Sequence, residues 1–121
     1  AWHIACTISE MMGQVGMKVS LNHEAPVPAS VAEIQAAYKQ AAAELMEQIK
    51  KNWDDEGLLT EDEMYGMKWK RGLTLSILLK HEIHHRGQMT VLMRQAGLVV
   101  PDIYGPAKEG WEKYGSPPPE I

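Results

Sequence analysis

The segment from Ser30 to about Asn52 constrains the fold more than any other part of the sequence. Ser30 is followed three residues later by Glu33, the spacing of a capping box that starts a helix. Behind this start, apolar side chains recur every three or four residues, at Val31, Ile34, Tyr38, Ala41, Leu45 and Ile49. This spacing places them on one helix face, which is stable only when it is buried. The sequence therefore predicts a long amphipathic helix packed against other helices.

Two more segments have helical spacing. Residues 1–16 carry apolar side chains along one face, at Ile4, Ile8, Met11, Met12 and Val15. A third helix is predicted from about Leu73 to Ala96, because Gly97 stands where a glycine ends a helix. The fold class that follows is all-α.

The remaining segments are predicted to be connections. Residues 17–29 form a loop with two prolines, and residues 53–70 form a polar connector. Within that connector, the segment 60–63 is predicted to begin one short helical turn. The alternation around Met67 and Trp69 is too brief to predict a strand. Residues 97–121 are expected to form a surface tail.

Composition excludes several classes of protein. A length of 121 residues fits one domain, residues 1–121, and a transmembrane segment is not expected because no apolar run is long enough. The chain has 12 Lys and Arg against 16 Asp and Glu, so a basic nucleic-acid footprint is not expected either. The sequence has eight Met and no Phe, which predicts a core filled partly by thioethers. No signal-peptide pattern is found, and we expect a cytoplasmic protein.

A histidine pair in the third helix is the main candidate for chemistry. His81 and His85 are four residues apart, so their side chains project from one face about one turn apart. They continue the apolar stripe through Leu78, which predicts burial. Two imidazoles at this spacing can ligate one ion at about 2.0–2.1 Å, or they can be core histidines satisfied by hydrogen bonds.

A third histidine strengthens the metal hypothesis. His3 lies on the apolar face of the first helix beside Ile4, and we expect it to face the bundle interior. Three protein ligands leave one coordination position for water or substrate. His23 stands in a polar loop and is expected to be solvated.

Several motifs together resemble the DinB (DNA-damage-inducible)/YfiT-like superfamily. The run from His81 to Met89 carries the resemblance, together with Leu92–Arg94 and Val100–Pro106. Ala1–Ala5 is similar to the histidine motif in that family's second helix, and Gly66–Gly72 is similar to the stretch before its last helix.

The resemblance implies an up-down-down-up four-helix bundle, often dimeric, that holds a divalent metal on three histidines. The implied ligands are His3, His81 and His85, whereas His84 matches a position that does not ligate. The family's first helix is expected before His3 and is missing from this sequence. Members with known activity use low-molecular-weight thiols, so the resemblance also implies a thiol cosubstrate and a small-molecule substrate. Because members are often dimeric, it implies a homodimer as well.

Two classes of function remain open from the sequence. One is a metal-dependent enzyme, a thiol S-transferase or a related hydrolase, and the other is a non-catalytic, metal-stabilised bundle that acts in a stress response through binding. Zinc and nickel are the expected metals, although imidazole also suits copper and iron. No catalytic residue is assigned. Gln88 and Tyr104 are candidates for the margin of a cleft, and Cys6 is expected to be a small core residue.

Further polar residues are given structural roles. Glu82 is expected to be solvated rather than a general base. Arg86 and Arg94 are expected to fix the tail through Asp102 rather than to hold an anionic substrate.

Overall fold

The computed structural model describes residues 1–120, and this part of the chain is mostly helical. It contains the helices α1 (Trp2–Gln14), α2 (Val31–Asn52) and α3 (Arg71–Gln95), with two short 3-10 helices at Gly57–Leu59 and Lys108–Tyr114. One antiparallel sheet is formed by β1 (Glu61–Met64) and β2 (Met67–Lys70). The chain divides into two compact units, of which the first is Ala1–His85 and the second begins at Arg86.

The long central helix begins and ends where the sequence predicts. The Ser30 hydroxyl accepts a hydrogen bond from the Glu33 backbone N–H at 3.2 Å, and the Ser30 N–H donates to the Glu33 carboxylate at 3.0 Å. These bonds satisfy backbone and side-chain groups that the start of a helix otherwise leaves without partners. The predicted capping box is therefore confirmed.

Helix α3 ends in a Schellman motif, as the position of Gly97 predicts. Gly97 has φ +72° and its N–H donates to the Arg94 carbonyl at 3.0 Å, while the Leu98 N–H donates to the Met93 carbonyl at 2.9 Å. A residue with a Cβ adopts this left-handed conformation only at a cost, so glycine is the residue that stops the helix here.

The connector between α2 and α3 is where the sequence prediction was wrong. Three residues of the segment predicted as a helical turn, 61–63, belong to β1, which pairs with β2 in a register that sets Met64 opposite Met67. The turn residues Tyr65 and Gly66 have φ values of +51° and +76°, as in the two-residue turns of tight hairpins. The fold is therefore helical with a small sheet rather than all-α.

The core of the first unit is built around α1. Its buried members are Ile8, Met11, Met12, Val15, Met17, Ala41, Met64 and Leu78. Half of these residues are methionines, which confirms that thioethers replace the missing phenylalanines. The same core accounts for the position of the hairpin. Pairing of β1 with β2 holds Met64 against α1, where the Met64 side chain is fully buried.

The second unit is organised by polar contacts rather than by a large core. Arg94 forms a two-pronged ion pair with Glu109, with Nη2 and Oε2 2.8 Å apart. Asp102 instead accepts a hydrogen bond from the Ala107 N–H at 2.7 Å and lies 3.4 Å from the Lys113 ammonium. Arg94 thus fixes the tail as expected, but its partner is Glu109 and not Asp102. Val100 is buried, so the tail is not wholly at the surface, and the last residue of the predicted tail lies outside the described residues.

No helix within residues 1–120 has both the length and the apolar character that crossing a membrane requires.

Candidate metal centre

Two helices of the first unit bring three histidines together. His3 stands in the first turn of α1, and His81 and His85 stand one turn apart in α3. The Nε2 atom of His81 lies 3.2 Å from Nε2 of His3 and 3.0 Å from Nε2 of His85. One nitrogen from each ring lies within 4.8 Å of the others. The structure therefore brings together the three residues that the sequence predicts as a set.

The rings meet edge to face. Their centroids are 4.3–4.9 Å apart, and the planes of each pair are inclined by 68–89°. In this arrangement the imidazoles do not stack. Each ring directs a nitrogen-bearing edge, where the lone pair lies in the ring plane, toward its neighbours.

Burial of the three histidines differs from the prediction. His3 is exposed, and His81 and His85 are only half-buried. The expectation that His3 faces the interior is wrong, since its side chain is exposed although the residues that follow it in α1, Ile4 and Ala5, are buried. The cluster lies at the edge of the core, where solvent reaches it.

The environment of His81 favours the neutral imidazole. Burial lowers the pKa of His81 below its ordinary value of 6.5, and the neighbouring His85, His3 and His84 lower it further. The carboxylate of Glu10 acts in the opposite direction. A neutral ring retains the lone pair that a metal ligand must donate.

The spacing of the nitrogens suits a divalent ion. Tetrahedral coordination at about 2.0–2.1 Å places the ligand nitrogens roughly 3.3–3.4 Å apart. The two Nε2 distances to His81, 3.2 and 3.0 Å, are within a few tenths of an ångström of that value, and the nitrogens of His3 and His85 lie within 4.8 Å of each other. A ring nitrogen offers either one N–H or one lone pair, so Nε2 of His81 can form a good hydrogen bond with only one of these neighbours. An ion would use the lone pairs of all three.

The other candidate residues lie outside this cluster. His84 is exposed and its ring touches that of His85, with centroids 5.1 Å apart, but it is not part of the convergent set. His23 is exposed in its loop, as predicted. Gln88 and Tyr104 belong to the second unit, and Tyr104 is 88% exposed.

Cys6 is buried, as expected for a core residue. Burial raises the pKa of its thiol, and the charge of Glu10 raises it further. A thiol in this state is a weak nucleophile, because the thiolate is the reactive form.

Two polar residues that the sequence analysis missed lie on the histidine-bearing side of α1. The Tyr65 hydroxyl donates to Oε1 of Glu10 at 3.1 Å. A signal for Glu10 was present, since it follows His3 by seven residues and so shares its helix face. Tyr65 had no such signal, because its position depends on a hairpin that was not predicted.

Known proteins with similar sequences and structures identify the family. The DinB family model matches residues 1–120. The chain is 41% identical over 122 residues to "Uncharacterized protein YrdA" of Bacillus subtilis (strain 168), an alignment that covers 100% of this chain and 73% of that protein. It is also similar to the crystal structure of a DinB-like protein from Bacillus cereus ATCC 10987, with a TM-score of 0.80 and 38% identity, covering 85% of this chain and 69% of that one. The chain therefore belongs to the DinB family.

Proposed function

We propose that the protein binds a divalent metal ion, zinc or nickel, through the Nε2 atoms of His3, His81 and His85. The observation that carries this proposal is that one imidazole nitrogen from each of three histidines, on two helices, lies within 4.8 Å of the others. Imidazole is a preferred ligand of both metals. The exposed position of His3 leaves the centre accessible to a small molecule.

We further propose that the bound metal serves a thiol S-transferase. When bound, such an ion lowers the pKa of a coordinated thiol or water and so supplies a nucleophile at neutral pH. The three histidines hold the site, and the lowered pKa of His81 keeps its ring neutral. In the transfer, the thiol sulfur forms a bond to an electrophilic carbon, the leaving group departs with its electron pair, and the thiol proton passes to solvent.

The thiol in this proposal is a separate small molecule. Cys6 is buried and its pKa is raised, so it is not suited to be the nucleophile. A low-molecular-weight thiol fits an accessible site at the edge of the core.

The proposed architecture is the DinB-like four-helix bundle in one domain, as a homodimer. The similarity in fold supports the bundle. Leu79 and Ile83 are four residues apart on α3 and are 62% and 48% exposed, so a second copy would bury apolar surface there. A stable dimer buries at least about 1,000 Å² in total. Light scattering at micromolar concentration should show twice the 13.6 kDa chain mass, and a purely monomeric species would contradict the dimer.

Metal analysis tests the site directly. Protein purified and then loaded with zinc or nickel is expected to hold one ion per chain, and His85→Ala should lose it. His23→Ala is the matched control, because His23 is an exposed loop histidine outside the cluster. Equal metal content in the two variants would contradict the three-histidine site.

A thiol-consumption assay tests catalysis separately. Bacillithiol, mycothiol, glutathione and cysteine are offered in turn with an electrophile to the metal-loaded protein and to its His85→Ala variant. Faster thiol consumption by the native sequence supports the transferase. If the native sequence binds metal but consumes every thiol at the same rate as His85→Ala, the function that remains is the non-catalytic, metal-stabilised bundle.

A further inference from the structure

The turn between β1 and β2 holds a tyrosine in a conformation that tyrosine rarely adopts. Tyr65 has φ +51°, in the left-handed region where asparagine, aspartate and glycine are the usual residues. A bulky side chain there costs free energy, and such positions occur preferentially at sites of function.

Packing of the hairpin does not account for Tyr65. The residue that anchors the hairpin to α1 is its neighbour Met64, which is fully buried, whereas Tyr65 is 51% exposed. Its hydroxyl instead donates to the carboxylate of Glu10 at 3.1 Å, and its ring lies beside that of Trp69, with centroids 5.8 Å apart. The Tyr65 hydroxyl also forms a hydrogen bond with Gln14, and the net contribution of single exposed hydrogen bonds to stability is modest.

Glu10 places this pair on the same side of α1 as the histidine cluster. It follows His3 by seven residues, which corresponds to a rotation of only about 20° and a rise of about 10 Å. The same carboxylate acts electrostatically on His81. The histidines and the Glu10–Tyr65 pair thus occupy two levels along one helix face.

We propose that Glu10, Tyr65 and Trp69 form a subsite for a primary ammonium group. A carboxylate has about four lone-pair positions, of which the Tyr65 hydroxyl occupies one, so Glu10 can accept further N–H donors. A primary ammonium has three such donors and the opposite charge. The exposed Tyr65 ring and the half-buried Trp69 ring add aromatic faces that attract cations.

The subsite deepens the proposed function by naming a substrate class. If one molecule occupies both levels, it carries a metal-binding thiol at one end and an ammonium group at the other. This connection rests on the proposed function, whereas the ammonium subsite itself does not require a metal.

The first experiment uses the whole chain without added metal and titrates it with hexylammonium, hexanol or hexanoate, followed by amide NMR spectra. Hexylammonium should give saturable shifts at Glu10 and Tyr65, and the other two probes should not. The affinity for hexylammonium should fall about fivefold in Glu10→Gln, near the upper end of what an exposed ion pair supplies. The control Glu47→Gln, an exposed carboxylate on α2, should bind as the native sequence does. Equal affinity in Glu10→Gln, or equal binding of hexanol, would overturn the proposal.

A second variant separates a binding role from a structural one. Asparagine tolerates the left-handed conformation better than tyrosine, so Tyr65→Asn should relieve strain and raise the urea midpoint while weakening hexylammonium binding. A Tyr65→Asn variant that is less stable and binds hexylammonium unchanged would show that Tyr65 has only a structural role, and the proposal would be wrong.

The third experiment tests whether the two levels bind one molecule. Zinc is titrated alone first, and the zinc-loaded protein is then titrated with aminohexanethiol or mercaptohexanol. Tighter binding of the aminothiol that disappears in Glu10→Gln supports a shared ligand, and equal binding of the two thiols would refute it. Failure to bind zinc would refute the proposed function, while the hexylammonium titration would still decide the subsite.

Discussion

Removal of one histidine should abolish a measurable thermal stabilisation by metal. A ligand that binds only the native state adds RT ln(1 + [L]/Kd), or about 2.7 kcal/mol when free zinc is a hundredfold above its Kd. For 121 residues, with an unfolding entropy of about 2.1 cal/mol/K per residue, this corresponds to a rise in Tm of about 10 °C.

The structure explains why the effect should depend on His85. The ion would connect α1 to α3 through His3 on one side and the pair His81 and His85 on the other. Unfolding separates the two helices, so the unfolded chain does not retain three ligands in this geometry. His85→Ala leaves two ligands, which bind far more weakly.

Differential scanning calorimetry with zinc and with excess chelator measures this stabilisation. The native sequence and His23→Ala should both show the rise of about 10 °C under the conditions above, and His85→Ala should show little. The same rise in His85→Ala, or identical midpoints with zinc and chelator in the native sequence, would refute the three-histidine linkage.

Three further predictions concern stability. The folded state lowers the pKa of His81 from 6.5, so the unfolded state takes up a proton on His81 first as the pH falls. The stability that neutral His81 contributes is therefore present above pH 6.5 and is lost as the pH falls through the folded pKa. The urea midpoint of the metal-free protein should therefore fall as the pH is lowered below 6.5, and His81→Gln should reduce this dependence of the midpoint on pH. The same dependence on pH in His81→Gln would contradict the prediction. Gly110→Ala should destabilise the second unit by about 1–3 kcal/mol, because its new Cβ would lie 2.9 Å from Oδ2 of Asp102 and nearer still to Oδ1. Hydrogen exchange in that unit measures the loss, and unchanged protection would refute it. Met12→Ala should cost about 2–5 kcal/mol in chemical denaturation, since Met12 is fully buried, whereas the 52% exposed Met46→Ala should change stability by less than about 0.5 kcal/mol. Similar losses in the two methionine variants would show that the core has been misidentified.

Local sequence signals determined most of the helical structure. The Ser30–Glu33 capping box and Gly97 act within one helix turn, so their effect on the backbone can be read without knowing the rest of the fold. The same is true of His81 and His85, because a separation of four residues on a helix always brings two side chains to one face.

Longer-range features were harder to predict for a specific reason. Strands of four residues contain too few positions to establish an alternating pattern, and β1 and β2 are held in place partly by the burial of Met64 against α1. For this reason the local sequence of the segment 60–63 predicts a turn and not a strand. His3 was predicted to face the bundle interior, but it is exposed beside the buried Ile4, because its exposure depends on which other elements pack against that side of α1.

The sequence by itself determined the three helices, the two ends of α2, the end of α3 and the histidine pair in α3, since these depend on hydrogen bonds and spacings within a few residues. Only the tertiary structure decided that His3, 78 residues from His81, meets the pair at the edge of the core, and that Tyr65 reaches Glu10 across 55 residues. Such contacts depend on how helices and a hairpin pack around a shared apolar core. Many sequences can satisfy that packing, so no local pattern specifies it.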